Sequence, residues 1–219
     1  MNTASGSSFH ALPTVGDFYA DYCGSLMSAL KKVEVTDRNR KRLGINRGFA
    51  HLIETSRRTQ SQNRAQFLCG NGASPALASH MALDWSKNGG VRTIAFSDAA
   101  LLTAVGNDLG PDEIFSCPLR LYSQRDDVLF TISSSGNSPN VVKAIETAYD
   151  LGMRVITFSG LRPDNQSRFL GELNFFVPAK TYGVVECAHQ VLLHMWLDQF
   201  MGIAEWDCDT YQDMKQKNA

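Results

Sequence analysis

The sequence predicts an α/β protein in which helices cover both faces of a central parallel sheet. Two observations carry this prediction: from residue 66 onwards short apolar segments alternate with helical segments, and each apolar segment is nearly continuous. With 219 residues, of which 43% are hydrophobic and 20% charged, the chain is long enough for one domain with a well-buried core. We expect a flexible tail over residues 1–15, a single domain over 16–204 and a polar C-terminal tail over 205–219.

Two helices are predicted ahead of the sheet. Asp17 can cap the first, whose apolar residues recur at helical spacing as far as Val33, and the second covers residues 43–56. Basic residues between and beside them are expected on a solvated, salt-bridged helical face. The alternative is a basic edge that meets a neighbouring subunit or an anionic ligand. These residues are Arg38, Arg40, Lys41, Arg42, Arg57 and Arg58.

Strands and helices then alternate along the chain. The predicted strands cover residues 66–69, 91–96, 127–132, 154–158 and 173–177. The predicted helices begin at Pro75 and then cover residues 99–105, 113–122, 139–151 and 184–201. This order predicts that the polar loops after the strands meet at one edge of the sheet, where ligands bind in open parallel sheets.

Charge and cysteine content restrict the classes of partner and the compartment. The net charge of −1 argues against a domain that holds nucleic acid, which usually carries a clear basic excess. The five cysteines form no CxxC pair, which favours a reducing cytoplasm. No apolar run is long enough to span a membrane, and the polar N-terminus is unlike a secretory signal. We therefore expect a cytoplasmic protein with no nucleic-acid or membrane partner.

The loop after the third predicted strand is the most informative motif. It holds three consecutive serines and a fourth just before the next helix: Ser133, Ser134, Ser135 and Ser138. Unpaired backbone N–H groups and the helix dipole favour an anion there, and serine hydroxyls add donors that reach a phosphate. A helix cap needs only one serine, so the loop predicts phosphate binding.

Two further loops carry weaker signals. Asn71, Gly72 and Ser74 follow the first predicted strand, but the loop lacks the third glycine and the acidic residue of a dinucleotide site. Asn107 and Asp108 lie in a predicted loop whose short polar side chains suit sugar hydroxyls, although a plain turn explains them equally well.

Two helices each place a carboxylate and an imidazole on one face. His80 and Asp84 are four residues apart, and Glu186 and His194 are eight residues apart, a little over two turns. The four side chains would converge if the helices pack face to face. They would then form either a zinc site with two imidazoles and two carboxylates or a hydrogen-bonded acid/base cluster.

Four motifs in this order resemble the sugar isomerase (SIS) domain family. They are residues 67–74, His80, residues 105–108 and residues 132–138, and the similarity extends over residues 17–201. More narrowly, they resemble the bacterial phosphoheptose isomerases, which convert sedoheptulose 7-phosphate to an aldoheptose 7-phosphate. The resemblance implies a flavodoxin-like three-layer sandwich preceded by two N-terminal helices. It also implies a homotetramer with active sites between subunits, built from the first and last helices.

The resemblance implies a role for each candidate residue. The four serines fall where the family holds the sugar phosphate, Asn71 and Ser74 fall in the substrate loop, and Asp108 falls where hydroxyls are bound. Gly72 and Asn107 are included as substrate-binding neighbours.

The catalytic and metal positions follow from the same resemblance. His194 matches the catalytic histidine, and His80 matches a histidine that ligates zinc in some members. Asp84 replaces the catalytic glutamate of the family, and Glu186 replaces a glutamine.

The predicted function is therefore an aldose–ketose isomerase acting on a phosphorylated sugar. Either Glu186 or Asp84 takes the proton beside the carbonyl, an enediol(ate) forms, and His194 handles the hydroxyl protons. Two alternatives are a non-catalytic SIS protein that regulates replication initiation, and a sugar-phosphate sensor without turnover.

Overall fold

A computed structural model describes residues 15–207, so residues 1–14 and 208–219 of the two predicted tails lie outside the described residues. The strands are β1 (Glu34–Asp37), β2 (Arg42–Leu43), β3 (Gln66–Gly70), β4 (Thr93–Ala95), β5 (Val128–Ser133), β6 (Arg154–Gly160) and β7 (Leu173–Val177). The helices are α1 (Val15–Lys31), α2 (Ile45–Ser61), α3 (Ser74–Lys87), α4 (Ala99–Asp108), α5 (Ser116–Tyr122), α6 (Pro139–Asp150), α7 (Ser167–Leu170) and α8 (Tyr182–Met201). A short 3₁₀ turn, Pro111–Glu113, precedes α5.

The strands form one seven-stranded sheet in the order β2-β1-β7-β6-β5-β3-β4. The five strands from β3 to β7 are parallel, and numbered among themselves they follow the order 2-1-3-4-5 of flavodoxin-like sheets. The predicted flavodoxin-like sandwich is therefore confirmed. Its topological switch point lies between β3 and β5, where the chain changes the direction in which it adds strands.

Side chains that alternate along the strands belong to two hydrophobic clusters, one on each face of the sheet. Phe130 and Phe158 point into a cluster with α2, α3 and α8, where Trp85 and Trp196 pack with ring centroids 4.3 Å apart. Leu129 joins the other cluster, with α5 and α6. The nearly continuous apolar strands of the sequence are thus explained by burial on both faces. No helix within residues 15–207 has the length and apolar character needed to cross a bilayer.

The segment between the two N-terminal helices differs from the prediction. Instead of a basic helical face, residues 34–43 form the hairpin of β1 and β2, and β1 pairs antiparallel with β7. Asp37 Oδ1 accepts the backbone N–H groups of Asn39 and Lys41 and so holds the turn. Glu34 pairs with Arg42 at 2.8 Å and with Arg168 at 2.7 Å. Arg38, Arg40 and Lys41 lie in the turn of this hairpin, and strands of four and two residues are too short to show a recognisable alternation in the sequence.

Helix α8 packs close to the carboxyl end of β6. Gly160 permits this approach, because a side-chain Cβ there would lie 2.5 Å from Cγ1 of Val185. His189 is fully buried below it, and its Nε2 lies 3.2 Å from the carbonyl oxygen of Ser159. Burial lowers the pKa of His189 to about 4, so the ring is neutral and its Nε2–H donates to that carbonyl. These contacts bring the N-terminal part of α8 to the edge where the polar loops meet.

Candidate active site

The loops after β3 and β5 leave neighbouring strands at the switch point of the sheet. Gly70 and Ile132 are paired across these two strands, so residues 71–74 and the serine loop, defined as residues 133–138, begin side by side. A side chain at Gly70 would collide with the carbonyl oxygen of Ile132 and with Ser74, which explains the glycine. Ligands of open α/β sheets bind at such switch points.

A cavity of about 220 Å³ lies between these two loops and the start of α8. Its lining contains every predicted substrate-binding residue of the two loops, together with one carboxylate and one tyrosine. These residues are Asn71, Gly72, Ser74, Ser133, Ser134, Ser135, Ser138, Tyr182 and Glu186. Tyr182 was not predicted, because an aromatic residue at the first position of a helix carries no signal of its own. The cavity is called the serine cavity below.

The hydroxyl groups of the serine loop differ in their partners. Ser133 Oγ accepts the N–H of Gly136 at 3.1 Å, and Ser135 Oγ accepts the N–H of Asn137 at 3.3 Å. The hydroxyl of Ser134 is buried and has no hydrogen-bond partner among residues 15–207. A buried polar group without a partner is unfavourable. Ser134 is also one of the residues that line the serine cavity.

The polar groups that line the serine cavity are neutral, except for one carboxylate. Within the described chain no lysine or arginine lines it, and Glu186 is its only charged residue. An anion here would have as partners the hydroxyls, backbone N–H groups and the N-terminus of α6, a twelve-residue helix that begins directly after Ser138. Because Glu186 repels negative charge, the favourable position for the anion is on the serine side of the cavity.

A second group of functional side chains lies where α3 meets α8. His80 Nε2 lies 2.9 Å from Asp84 Oδ2, and the His80 and His194 rings have centroids 5.3 Å apart at 90°. One ligand atom from each of the three residues lies within 4.8 Å of the others. We call these residues the His–Asp group. Two imidazoles and one carboxylate are donors that suit a borderline-soft divalent cation such as Zn²⁺, so the chemistry of this set fits a metal.

Two neighbours of the His–Asp group were not anticipated. The side-chain amide nitrogen of Gln190 lies 2.7 Å from His194 Nε2, one helical turn away. Burial raises the pKa of Asp198; the charge of His194 lowers it, and the charges of Asp84 and Glu205 raise it further. Both residues are visible in the sequence only as i±4 neighbours of His194, a spacing common on any helix.

Glu186 does not lie in the His–Asp group, contrary to the predicted four-residue cluster. Eight residues of α8 correspond to about 12 Å of rise and a rotation of about 80°, so Glu186 and His194 face different surroundings. Glu186 lies in the serine cavity, and the ligand set that the described chain brings together is His80, Asp84 and His194.

The predicted loop of Asn107 and Asp108 is also different in the structure. Both residues form the last turn of α4, where Asn107 Nδ2 donates to Asp108 Oδ1 at 2.8 Å. Gly110, with φ of 100°, has the backbone conformation that ends this stretch. Neither residue lines the serine cavity.

Comparison with known proteins identifies the family. A model of the SIS domain matches residues 22–160. The chain belongs to the SIS domain family. A phosphoheptose isomerase of Helicobacter pylori is 34% identical over 154 residues, which are 67% of this chain and 77% of that protein.

Solved structures agree with this SIS assignment. A phosphoheptose isomerase from Neisseria gonorrhoeae has a TM-score of 0.74 and 27% identity, covering 86% of this chain and 97% of that one. The structure of a phosphoheptose isomerase from Francisella tularensis has the same TM-score at 22% identity, over 88% of this chain and 98% of that one, and shares the fold. The predicted resemblance is therefore confirmed.

Proposed function

We propose that this SIS protein is an aldose–ketose isomerase that converts sedoheptulose 7-phosphate to an aldoheptose 7-phosphate. The observation that carries the proposal is the serine cavity, which is lined by Ser133, Ser134, Ser135 and Ser138 and lies at the N-terminus of α6, a place suited to a phosphate. The relatives bear out the predicted reaction class, since they carry the name phosphoheptose isomerase.

The phosphate is proposed to bind in the serine loop and the reacting carbons at the His–Asp group. In a ketoheptose 7-phosphate the carbonyl and the phosphate lie at opposite ends of the carbon chain. A ligand of this kind needs two separated centres, and α8 passes from the serine cavity at Glu186 to His194 over about 12 Å. Binding energy from the remote phosphate orients the reacting end.

Asp84 is proposed as the base and His194 as the group that moves the hydroxyl protons. Asp84 takes the proton from C1 while O2 receives one, which gives the enediol; O1 then loses its proton and C2 is protonated to form the aldose. Asp84 is favoured over Glu186 because it contacts an imidazole at the end remote from the serines, whereas Glu186 lies beside the proposed phosphate.

Zinc is the proposed metal of the same group. His80, Asp84 and His194 would hold it, and when bound it would supply polarisation of the carbonyl and hydroxyl oxygens of the sugar. Elemental analysis of protein purified without chelator tests this: near-stoichiometric zinc that is lost in His80→Ala supports the site. Full activity in chelator, with no bound metal, would leave the three side chains as an acid/base cluster.

Two isosteric variants distinguish the bases. Asp84→Asn is expected to reduce kcat by roughly a hundredfold or more while KM changes little, since acid–base groups typically contribute that much. Glu186→Gln, which removes the other carboxylate without changing its size, is the matched variant and is expected to keep most of kcat. The reverse pattern would assign the base to Glu186. An isomerisation assay over a panel of ketose phosphates defines the substrate, and binding without turnover would indicate a sensor.

The proposal includes a homotetramer with active sites between subunits. Helix α1 exposes the apolar side chains of Phe18, Tyr19 and Met27, and Tyr19 is 74% exposed. A groove of about 1030 Å³ lies between α1 and the start of α8. Large apolar side chains grouped on one exposed helix are typical of an interface. A cytoplasmic location is also proposed, supported by the free cysteines Cys23 and Cys187 on the surface of the described chain.

Subunit complementation tests shared sites directly. Ser133→Ala/Ser135→Ala is expected to be impaired at low substrate concentration through a raised KM, and His194→Ala is expected to lose kcat. Mixing and reassembling the two variants restores no activity if, as proposed above, both centres of one site lie along a single α8; restored activity would mean that one subunit supplies the serine cavity and another the His–Asp group. Sedimentation that shows only a monomer at micromolar concentration would refute the tetramer.

A further inference from the structure

Two asparagine side chains join the two loops that form the serine cavity. Asn71 Nδ2 donates to Asn140 Oδ1 at 2.7 Å, and Asn140 Nδ2 donates back to Asn71 Oδ1 at 3.0 Å. Asn71 lies in the loop after β3, and Asn140 is the second residue of α6, directly after the serine loop. The pair therefore connects the loop after β3, which forms one wall of the cavity, to the first turn of α6, which follows the serine loop.

The opposite side of the serine loop is held by a different set of contacts. Asn137 Oδ1 accepts the N–H of Gln166 at 2.9 Å, and the carbonyl oxygen of Gly136 accepts the N–H of Ser167 at 2.9 Å. Gly136, with φ of 65°, lies directly against Asn165. This side is held by residues 165–167 at the start of α7, and on the other side the Asn71–Asn140 pair is a direct side-chain contact between the loop after β3 and α6.

The chemistry of the pair suits a position beside an anion. A primary amide has two N–H donors and an oxygen with two lone pairs, and the reciprocal pair uses one donor and one lone pair of each residue. Asn71, which lines the cavity, thus keeps one N–H for a ligand while the pair fixes the orientation of that N–H. Both amides are neutral, so the pair adds no charge that would repel a phosphate.

We propose that Asn140 is a positioning residue that holds Asn71, and with it the loop after β3, at the distance from the serine loop at which both loops bind one phosphate. The inference rests on the proposed function, because it assumes a phosphorylated ligand in the serine cavity. Asn140 acts through Asn71 and does not line the cavity itself.

This role predicts an effect on affinity with little effect on turnover. The phosphate is bound alike in the ground and transition states, so weakening its site raises KM and leaves kcat nearly unchanged. Loss of the pair frees the orientation of Asn71, and one weakened hydrogen bond to an ion corresponds to a rise in KM of about tenfold. The competitive inhibition constant of inorganic phosphate should rise by the same factor.

A double-mutant cycle tests the coupling. Asn71→Ala, Asn140→Ala and the double variant are assayed with sedoheptulose 7-phosphate for KM and kcat and with inorganic phosphate for inhibition. We expect Asn140→Ala to approach the effect of Asn71→Ala, and the double variant to be no worse than Asn71→Ala alone. Glu146→Ala, an exposed substitution on the same helix, is the control and should change nothing. The proposal would be overturned if the rise in KM of the double variant were the product of the rises in the two single variants. An unchanged KM in Asn140→Ala would also overturn it.

Asn140→Asp gives a readout that a merely structural role would not produce. The carboxylate has almost the same shape but can only accept hydrogen bonds, and it places a negative charge near the phosphate. KM should rise more than in Asn140→Ala, and the excess should shrink as ionic strength increases. An excess that does not respond to salt would contradict the proposed proximity to the anion.

The serine variants separate this inference from the proposed function. If Ser133→Ala/Ser135→Ala loses phosphate inhibition but Asn140→Ala does not, the cavity binds phosphate and the positioning role is wrong. If the unmodified protein shows neither turnover nor inhibition by phosphate, the proposed function itself fails, and the inference fails with it.

Discussion

Replacing Ser134 by alanine should stabilise the ligand-free protein and weaken its binding of phosphate. Ser134 is 5% exposed, and its buried hydroxyl has no hydrogen-bond partner within residues 15–207. An unsatisfied buried polar group costs about 1–3 kcal/mol, so its removal should raise the free energy of unfolding by about 1 kcal/mol after some packing is lost. For a chain of this length that corresponds to a melting temperature about 2–4 °C higher.

The same variant should bind phosphate more weakly, so phosphate should stabilise it less than it stabilises the parent protein. A hydrogen bond to a charged group contributes about 1.5–3 kcal/mol, so the dissociation constant for inorganic phosphate should rise by about one to two orders of magnitude. Thermal unfolding with and without phosphate measures both effects in one experiment. A lower melting temperature without ligand, or an unchanged dissociation constant, would refute the reasoning.

Ser56→Ala is the matched control for this prediction. Ser56 is also buried, but its hydroxyl accepts hydrogen bonds from Trp196 Nε1 at 3.1 Å and from Gln66 Nε2 at 3.0 Å. Its removal leaves two buried donors without partners and should cost about 2 kcal/mol or more. The two serine-to-alanine variants should thus change stability in opposite directions.

Three further predictions concern stability. Gly70→Ala should cost about 1–3 kcal/mol in chemical denaturation, because its Cβ collides with the Ile132 carbonyl. Burial lowers the pKa of His189 in the folded protein from 6.5 to about 4. Its contribution to the free energy of unfolding is therefore present above pH 6.5 and is lost as the pH falls toward 4. His189→Gln should flatten that part of the plot of stability against pH. Hydrogen bonds from Lys143, Ser116 and Arg120 lower the pKa of Glu113 to about 2. Glu113→Gln should therefore lower the free energy of unfolding at neutral pH and remove the loss of stability that the parent shows as the pH falls from about 4.5 to 2. Urea titrations that show the same loss of stability at acid pH in both proteins would contradict this.

The parallel part of the sheet and the serine cavity could be predicted because their signals are local. Strands buried on both faces are continuous apolar segments, and the serine loop is a run of small polar residues between such a strand and a helix. The short hairpin of β1 and β2 could not be predicted. Its pairing with β7 joins residues about 140 positions apart, and only tertiary contact selects strand over helix there.

The functional groups divide in the same way. The i, i+4 pair of His80 and Asp84 was predictable, since one helical turn fixes their contact. The spacing of eight residues does not place Glu186 on the face of His194, because the rotation along the helix accumulates to about 80°. Asn140 and Tyr182 depend on how loops and helices are placed around the cavity, and no pattern in their own segments reports that placement.

The hairpin of β1 and β2 also restricts how copies of this protein can associate. Without it, β7 would present the free backbone groups of an apolar strand, which attract strands of other chains. With it, one border of the sheet is a two-residue strand beside Arg40 and Lys41, and the other border is the three-residue β4. Neither border offers the length for a continuous sheet across subunits. We therefore expect any contacts between copies to be made by side chains, whose shape and composition can specify a particular arrangement.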